Sequence, residues 1–145
     1  DARFFQSGMQ TLRQIEFSLF DLSIHKLTPA LSADGIQATL DDIRQKYAVL
    51  PTTDYNRFQN SFSHIFAGGY AAGYYSYKWA EVLASDAFDR FEKEGVFNTE
   101  TGNEFRKNIL AVGGKDTALD AFINFRGREP KIDALLRHQG WTNSQ

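Results

Sequence analysis

The stretch His64-Ile65-Phe66-Ala67-Gly68-Gly69-Tyr70-Ala71-Ala72-Gly73-Tyr74-Tyr75-Ser76-Tyr77 decides how this chain is read. It brings an imidazole, a Gly-Gly pair and a cluster of phenols into fourteen positions. Gly68 and Gly69 interrupt any helix there, because glycine gives up the most backbone freedom on ordering. Past them the small residues Ala71, Ala72 and Gly73 alternate with aromatics, a pattern that suits a buried helix. The expectation is a helix from about Tyr70 to Glu94. On it Tyr70, Tyr74 and Tyr77 fall at i, i+4 and i+7 and share one face. A rise of 1.5 Å per residue would then set Tyr70 and Tyr77 roughly 10 Å apart along the axis. Packing, with the hydroxyls bonded to backbone, competes with a binding role for these phenols and fits Tyr75 best. Tyr70 and Tyr77 differ in lying just past a hinge, after a histidine.

Working outward, the rest of the chain is helical in pattern. From about Phe4 to Leu27, Met9, Leu12, Ile15 or Glu16, Leu19 and Phe20 keep helical spacing, and Thr28-Pro29 stops the run. Ser32 or Asp34 suits the cap of a second helix carrying Ile36, Leu40, Ile43 and Tyr47, closed by Pro51. Residues 51–69 have no clean period and read as an irregular, ordered loop. In the helix after it, Trp79, Leu83, Ala87 and Phe91 point to the core and Gly95 ends it. Asn98 or Thr99 caps a fourth helix that runs to Gly113-Gly114. Asp116 caps a fifth, with Gly127 past its end. Pro130 opens a sixth, stopped by Gly140, and residues 142–145 fray. About six helices, no strand pattern and no internal repeat make the chain all-α. Its 145 residues suit a single helical subdomain.

Composition narrows the function. A net charge of −2 gives no electrostatic footprint for nucleic acid or an anionic membrane. No apolar run reaches the ~18 residues of a membrane span. Without cysteine there is neither a disulfide framework nor a thiolate metal site, which fits a cytoplasmic setting. Thirteen Phe and six Tyr call for burial or an aromatic-lined groove. The chain starts Asp1-Ala2-Arg3 with Phe4 and Phe5 already in a helical pattern, as a piece cut from a longer polypeptide would.

The candidate chemistry is sparse. His25, His64 and His138 are far apart, and none has the partner of a His-Glu-x-x-His zinc helix. His25 and His138 sit near helix C-termini, where an imidazolium is favoured by the helix dipole, a structural use. His64 lies in a loop before the glycines and is the candidate for function. No Gly-x-Ser-x-Gly elbow supports a nucleophile, and the Gly-Gly pairs lack the lysine of a phosphate cradle. Asp41-Asp42 and the acids around Glu92 and Glu94 read as solvated helix faces. Arg126, Arg128 and Glu129 form a charged turn before Pro130 that suits tying two helices together.

The segment Phe62-Ser63-His64-Ile65-Phe66-Ala67-Gly68-Gly69-Tyr70, continued by Tyr77-Lys78-Trp79-Ala80-Glu81, resembles the thimet oligopeptidase family of zinc metallopeptidases. Gly8-Met9-Gln10-Thr11-Leu12-Arg13-Gln14-Ile15, Glu94-Gly95-Val96-Phe97-Asn98, Gly113-Gly114 and Phe125-Arg126-Gly127-Arg128-Glu129-Pro130 extend the likeness over essentially the whole chain. The resemblance implies the C-terminal part of a larger helical catalytic domain, acting on short peptides in a deep channel. In that family, zinc and a glutamate activate water for attack on the scissile carbonyl. The zinc ligands would lie upstream, so this chain would bind no metal itself and would need the N-terminal part of the same polypeptide. By the same resemblance Tyr70 and Tyr77 are catalytic, donating to the oxyanion and the substrate backbone. His64 bonds the bound peptide, Gly68 and Gly69 let the loop close, and Tyr74 lines the groove. The alternative from another class is a free-standing helical module that grips peptides without chemistry.

Overall fold

The computed structural model describes residues 4–26 and 31–142. The stop expected at Thr28-Pro29 and most of the fraying expected over 142–145 fall outside them. Among the described residues the chain is helical and has no strand, as an all-α reading requires. Seven α-helices follow one another: α1 (Ser7–Lys26), α2 (Ala33–Tyr47), the single turn α3 (Ser63–Phe66), α4 (Ser76–Glu94), α5 (Thr99–Phe105), α6 (Ala118–Arg126) and α7 (Asp133–His138). A short 3₁₀ turn (Phe58–Ser61) precedes α3, so the region expected as irregular loop carries two helical turns. A π-turn over Arg106–Leu110 extends α5. The chain divides into two compact units, with the boundary between Lys78 and Trp79.

Local chemistry explains most helix ends. The Ser32 side chain accepts from the Gly35 N–H to cap α2, and Asn98 accepts from Glu100 and Thr101 to cap α5. Thr117, not Asp116, caps α6, its hydroxyl accepting from the Asp120 N–H. Gly127, left-handed at φ +72°, closes that helix with a bond to the Ile123 carbonyl.

The main correction concerns α4. It begins at Ser76, so Tyr70–Tyr75 are turns rather than the first helical turns. Gly69 at φ +78° and Ala72 at φ +53° hold left-handed backbone that a right-handed helix excludes. Trp79, expected in the core, is exposed.

In the first unit α1 packs on α2 around an aromatic core. Phe17, Phe20, Leu40, Ile43, Phe62, Ile65 and Tyr74 are its buried members. The Phe17 ring stacks on Phe58 at 4.5 Å and meets Phe62 at 5.3 Å. The buried Glu16 carboxylate accepts from Arg44 Nε at 2.9 Å, and Arg44 also donates to Asn56, pinning the loop before the 3₁₀ turn.

In the second unit the rings of Phe91, Phe105 and Phe125 meet one another, and Phe122 and Phe125 are buried. Beside them is an ion-pair network that only the charged turn hinted at. Asp86, 1% exposed, accepts from Arg126, from both terminal nitrogens of Arg128 and from the Lys131 N–H. Asp89 takes Arg126, Arg137 and Lys93, and Glu92 takes Arg137 and His138. Burial pushes the Asp86 and Asp89 carboxyls up. The facing cations and, at Asp86, the Lys131 N–H outweigh it, and both lie below the ordinary value. At Glu92 the hydrogen bond from Arg137 leads and lowers the carboxyl against burial.

A carboxyl depressed on folding stabilises fully above its unfolded value near ~4 and loses that contribution as pH falls through its folded value. The urea midpoint of this unit should therefore fall as pH drops below about 4. Asp86→Asn should lower the midpoint at neutral pH and flatten the acid dependence. A native midpoint flat from neutral into acid would contradict the assignment.

Candidate active site

On α1, Phe17, Phe20, Asp21 and Ile24 recur at i, i+3, i+4 and i+7, which places a carboxylate on the face turned to the core. Asp21 is 0% exposed, and a charge so buried needs partners. It finds them fifty residues along the chain. Its Oδ1 accepts from the Ala72 N–H and its Oδ2 from the Tyr74 N–H, each at 2.9 Å. His25, one turn further on α1, sets its Nδ1 2.9 Å from both Asp21 Oδ1 and the Asp21 carbonyl oxygen. The clamp fixes the turns between Gly69 and Ser76.

Those turns bring the phenols together by a route other than helix periodicity. The Tyr70 and Tyr77 rings stack with centroids 5.1 Å apart and planes at 27°. His64, exposed at the start of α3, lies 6.3 Å from each of these rings and 5.8 Å from Tyr74. Tyr70 and Tyr77 are exposed at 37% and 39%. Tyr74 is buried, its ring set edge-on to Phe62 and Phe17 and its hydroxyl donating to Gln14 Oε1 at 3.1 Å. So the candidates His64, Tyr70 and Tyr77 share an open face, and Tyr74 is the packed floor beneath them. A hydrogen bond with the Tyr70 hydroxyl is the leading cause that raises Tyr77 above the ordinary phenol value, followed by burial and its tyrosine neighbours. Burial raises Tyr74, with Arg13 opposing.

The two glycines act through shape. A Cβ on Gly68 would lie 2.9 Å from the His64 carbonyl oxygen and 3.0 Å from its Cα, both backbone atoms. That carbonyl also accepts the Tyr70 N–H at 3.0 Å, while the Ser63 carbonyl accepts both Ala67 and Gly68 at 2.7 Å. Gly69 has open space around it but a left-handed φ.

The histidines that could hold a metal already have other neighbours. His25 is committed to Asp21 and His138 to Glu92, while His64 stands among tyrosine rings. Among the described residues no three His, Asp or Glu side chains are grouped to hold a metal ion. The described residues do not by themselves make up a zinc site. Among them, too, no helix is long and apolar enough to cross a membrane.

An exposed pair of phenol hydroxyls beside an imidazole is equipped to hydrogen-bond a polar ligand. Residues 1–141 match peptidase family M3, and the chain belongs to that family. Among curated proteins it is similar to oligopeptidase A of Escherichia coli, 52% identical over 96% of this chain and 20% of that protein. A probable cytosolic oligopeptidase A of Arabidopsis thaliana is 49% identical over 96% of the chain and 20% of the relative. Dipeptidyl carboxypeptidase of Escherichia coli is 32% identical over 97% and 21%. The chain thus spans about a fifth of the length of the relatives it matches.

Sequence reasoning missed Asp21, Gln14 and the use of His25 as Asp21's partner. One signal was there: an acidic residue on the apolar stripe of a long helix. A Gly68→Ala variant should lose about 1–3 kcal/mol through displacement of the residue-64 backbone. Chemical denaturation measures it, and native stability in that variant would refute the close approach.

Proposed function

We propose that this chain is the C-terminal subdomain of a zinc-dependent oligopeptidase that hydrolyses short peptides. Membership of peptidase family M3 supports the class, and the names of the relatives support oligopeptides as substrates. The observation that carries the reading is the stacked, exposed Tyr70–Tyr77 pair with His64 at its side.

In this role Tyr77, hydrogen-bonded to its Tyr70 neighbour, donates to the oxyanion that develops as the scissile carbonyl becomes tetrahedral. Tyr70 donates to the same centre or to the adjacent peptide backbone. His64 hydrogen-bonds the bound peptide near the cleaved bond, and Gly68 and Gly69 shape the loop that lies over it. Donors aimed at developing charge lower the barrier because they bind the transition state better than the ground state. Tyr74 supports the pair from below. Among the described residues no three His, Asp or Glu side chains group to hold a metal ion, so in this reading the zinc ligands come from the remainder of the longer polypeptide, which is also the chain's partner. Exposed apolar side chains such as Phe97, at 96%, Leu50 and Leu110 support surfaces made for that remainder. A cytoplasmic setting fits the name of the plant relative and the lack of cysteine.

In the full-length enzyme Tyr77→Phe should lower kcat for a short peptide by about two to three orders of magnitude, the cost of one oxyanion donor. An unchanged kcat removes Tyr77 from the mechanism. The chain expressed alone and titrated with zinc should show neither tight binding by calorimetry nor peptide cleavage, and measurable turnover would overturn the division of labour.

A further inference from the structure

The clamp on the tyrosine loop has a role that the phenols themselves do not reveal. We propose that Asp21, with His25 behind it, is a positioning residue for the Tyr70–Tyr77 pair, acting on the donors through the backbone of residues 72–74. The inference rests on the oxyanion role proposed for those phenols and adds the element that sets their aim.

Three observations carry it. First, both carboxylate oxygens are used on the same short loop, one on the Ala72 N–H and one on the Tyr74 N–H, in a position with no solvent exposure. A carboxylate serving only the stability of α1 would have no need of two amides from a segment fifty residues away. Second, the residue it grips is Ala72, whose left-handed φ of +53° is unfavourable for an alanine and persists only where its surroundings impose it. That turn directs the chain from Tyr70, on one side of the clamp, to Tyr77 on the other. Third, the carboxylate is itself oriented: the His25 Nδ1 contacts its Oδ1, and the His25 ring lies 6.2 Å from Phe66 on α3, the turn that bears His64. The Asp21–His25 pair therefore links α1 to both segments that present the candidate donors.

Asparagine at position 21 is close in size but keeps one acceptor and turns an NH₂ toward a backbone N–H. The loop would relax while the core around Phe17 and Phe20 stays filled. Misplacing a catalytic group by about 1 Å costs up to ~100-fold in rate. The test uses the full-length enzyme and a short fluorogenic peptide. Asp21→Asn should lower kcat roughly ten- to a hundredfold with KM within about twofold. In the Asp21→Asn/Tyr77→Phe double variant the losses should fail to multiply, because a donor already misaimed has less to lose. His25→Ala, a milder loosening, should give a smaller fall in kcat of the same kind and keeps the test open if Asp21→Asn folds poorly. Hydrogen exchange of the 70–76 amides should rise in both variants while that of α2 is unchanged. A silent Tyr77→Phe would sink the phenol reading itself. A damaging Tyr77→Phe with native kcat in Asp21→Asn and His25→Ala, or losses that multiply fully in the double variant, would leave the phenols standing and overturn the positioning role.

Discussion

A single carboxylate with no access to water, Asp21, holds the left-handed turn at Ala72 in place. Left-handed backbone at Ala72 costs about 1–2 kcal/mol, and a hydrogen bond to a charged group contributes about 1.5–3 kcal/mol. Two such bonds, to Ala72 and Tyr74, exceed the strain, so the loop adopts a path that its own residues do not favour. The desolvation of the carboxylate is offset in the same place, because every acceptor direction in use meets an N–H from the loop or from His25. Without this anchor the small residues between Gly69 and Tyr74 have little apolar surface with which to choose one conformation over another.

The two units solve the problem of holding helices together differently. The first uses aromatic rings: Phe17 is ringed by Phe58, Phe62 and Tyr74, and Arg13 lies 4.7 Å over its face. The second relies on charge. Asp86 and Asp89 are buried on α4 and answered by arginines from α6 and from the turn after it. Buried ion pairs are weak sources of net stability but strongly disfavour losing one partner. They fix which arginine meets which acid, and so fix the register of α6 and the following turn against α4. Both solutions leave apolar side chains such as Phe97 in water, consistent with a chain a fifth as long as its relatives.

Where a helix starts or stops for a local reason, the sequence reads well. Ser32, Asn98 and Gly127 do what their types suggest, because capping needs only neighbours three or four positions away. The convergence of His64, Tyr70 and Tyr77 was also legible, although the helical geometry invoked for it was not the one adopted. Alternating small and aromatic residues satisfy a helix and a chain of tight turns equally. The choice was made by Asp21, whose partners lie 51 and 53 residues away and leave no mark on local spacing. The same limit hid Asp86 and Asp89. On a helical wheel they look like surface acids, and only the arginines some forty residues on turn that face inward.

Tyr74 has a consequence for how a ligand would be met. Its amide is held by Asp21, its ring is wedged between Phe62 and Phe17, and its hydroxyl is tied to Gln14. The rings of Tyr77 and His64 rest against it at 5.1 and 5.8 Å. Side chains that must be ordered on association each cost about 0.5–1.5 kcal/mol of binding free energy. Here most of that ordering is already complete when the polypeptide folds. A flexible guest arriving at this surface would give up its own freedom and find the host's already surrendered.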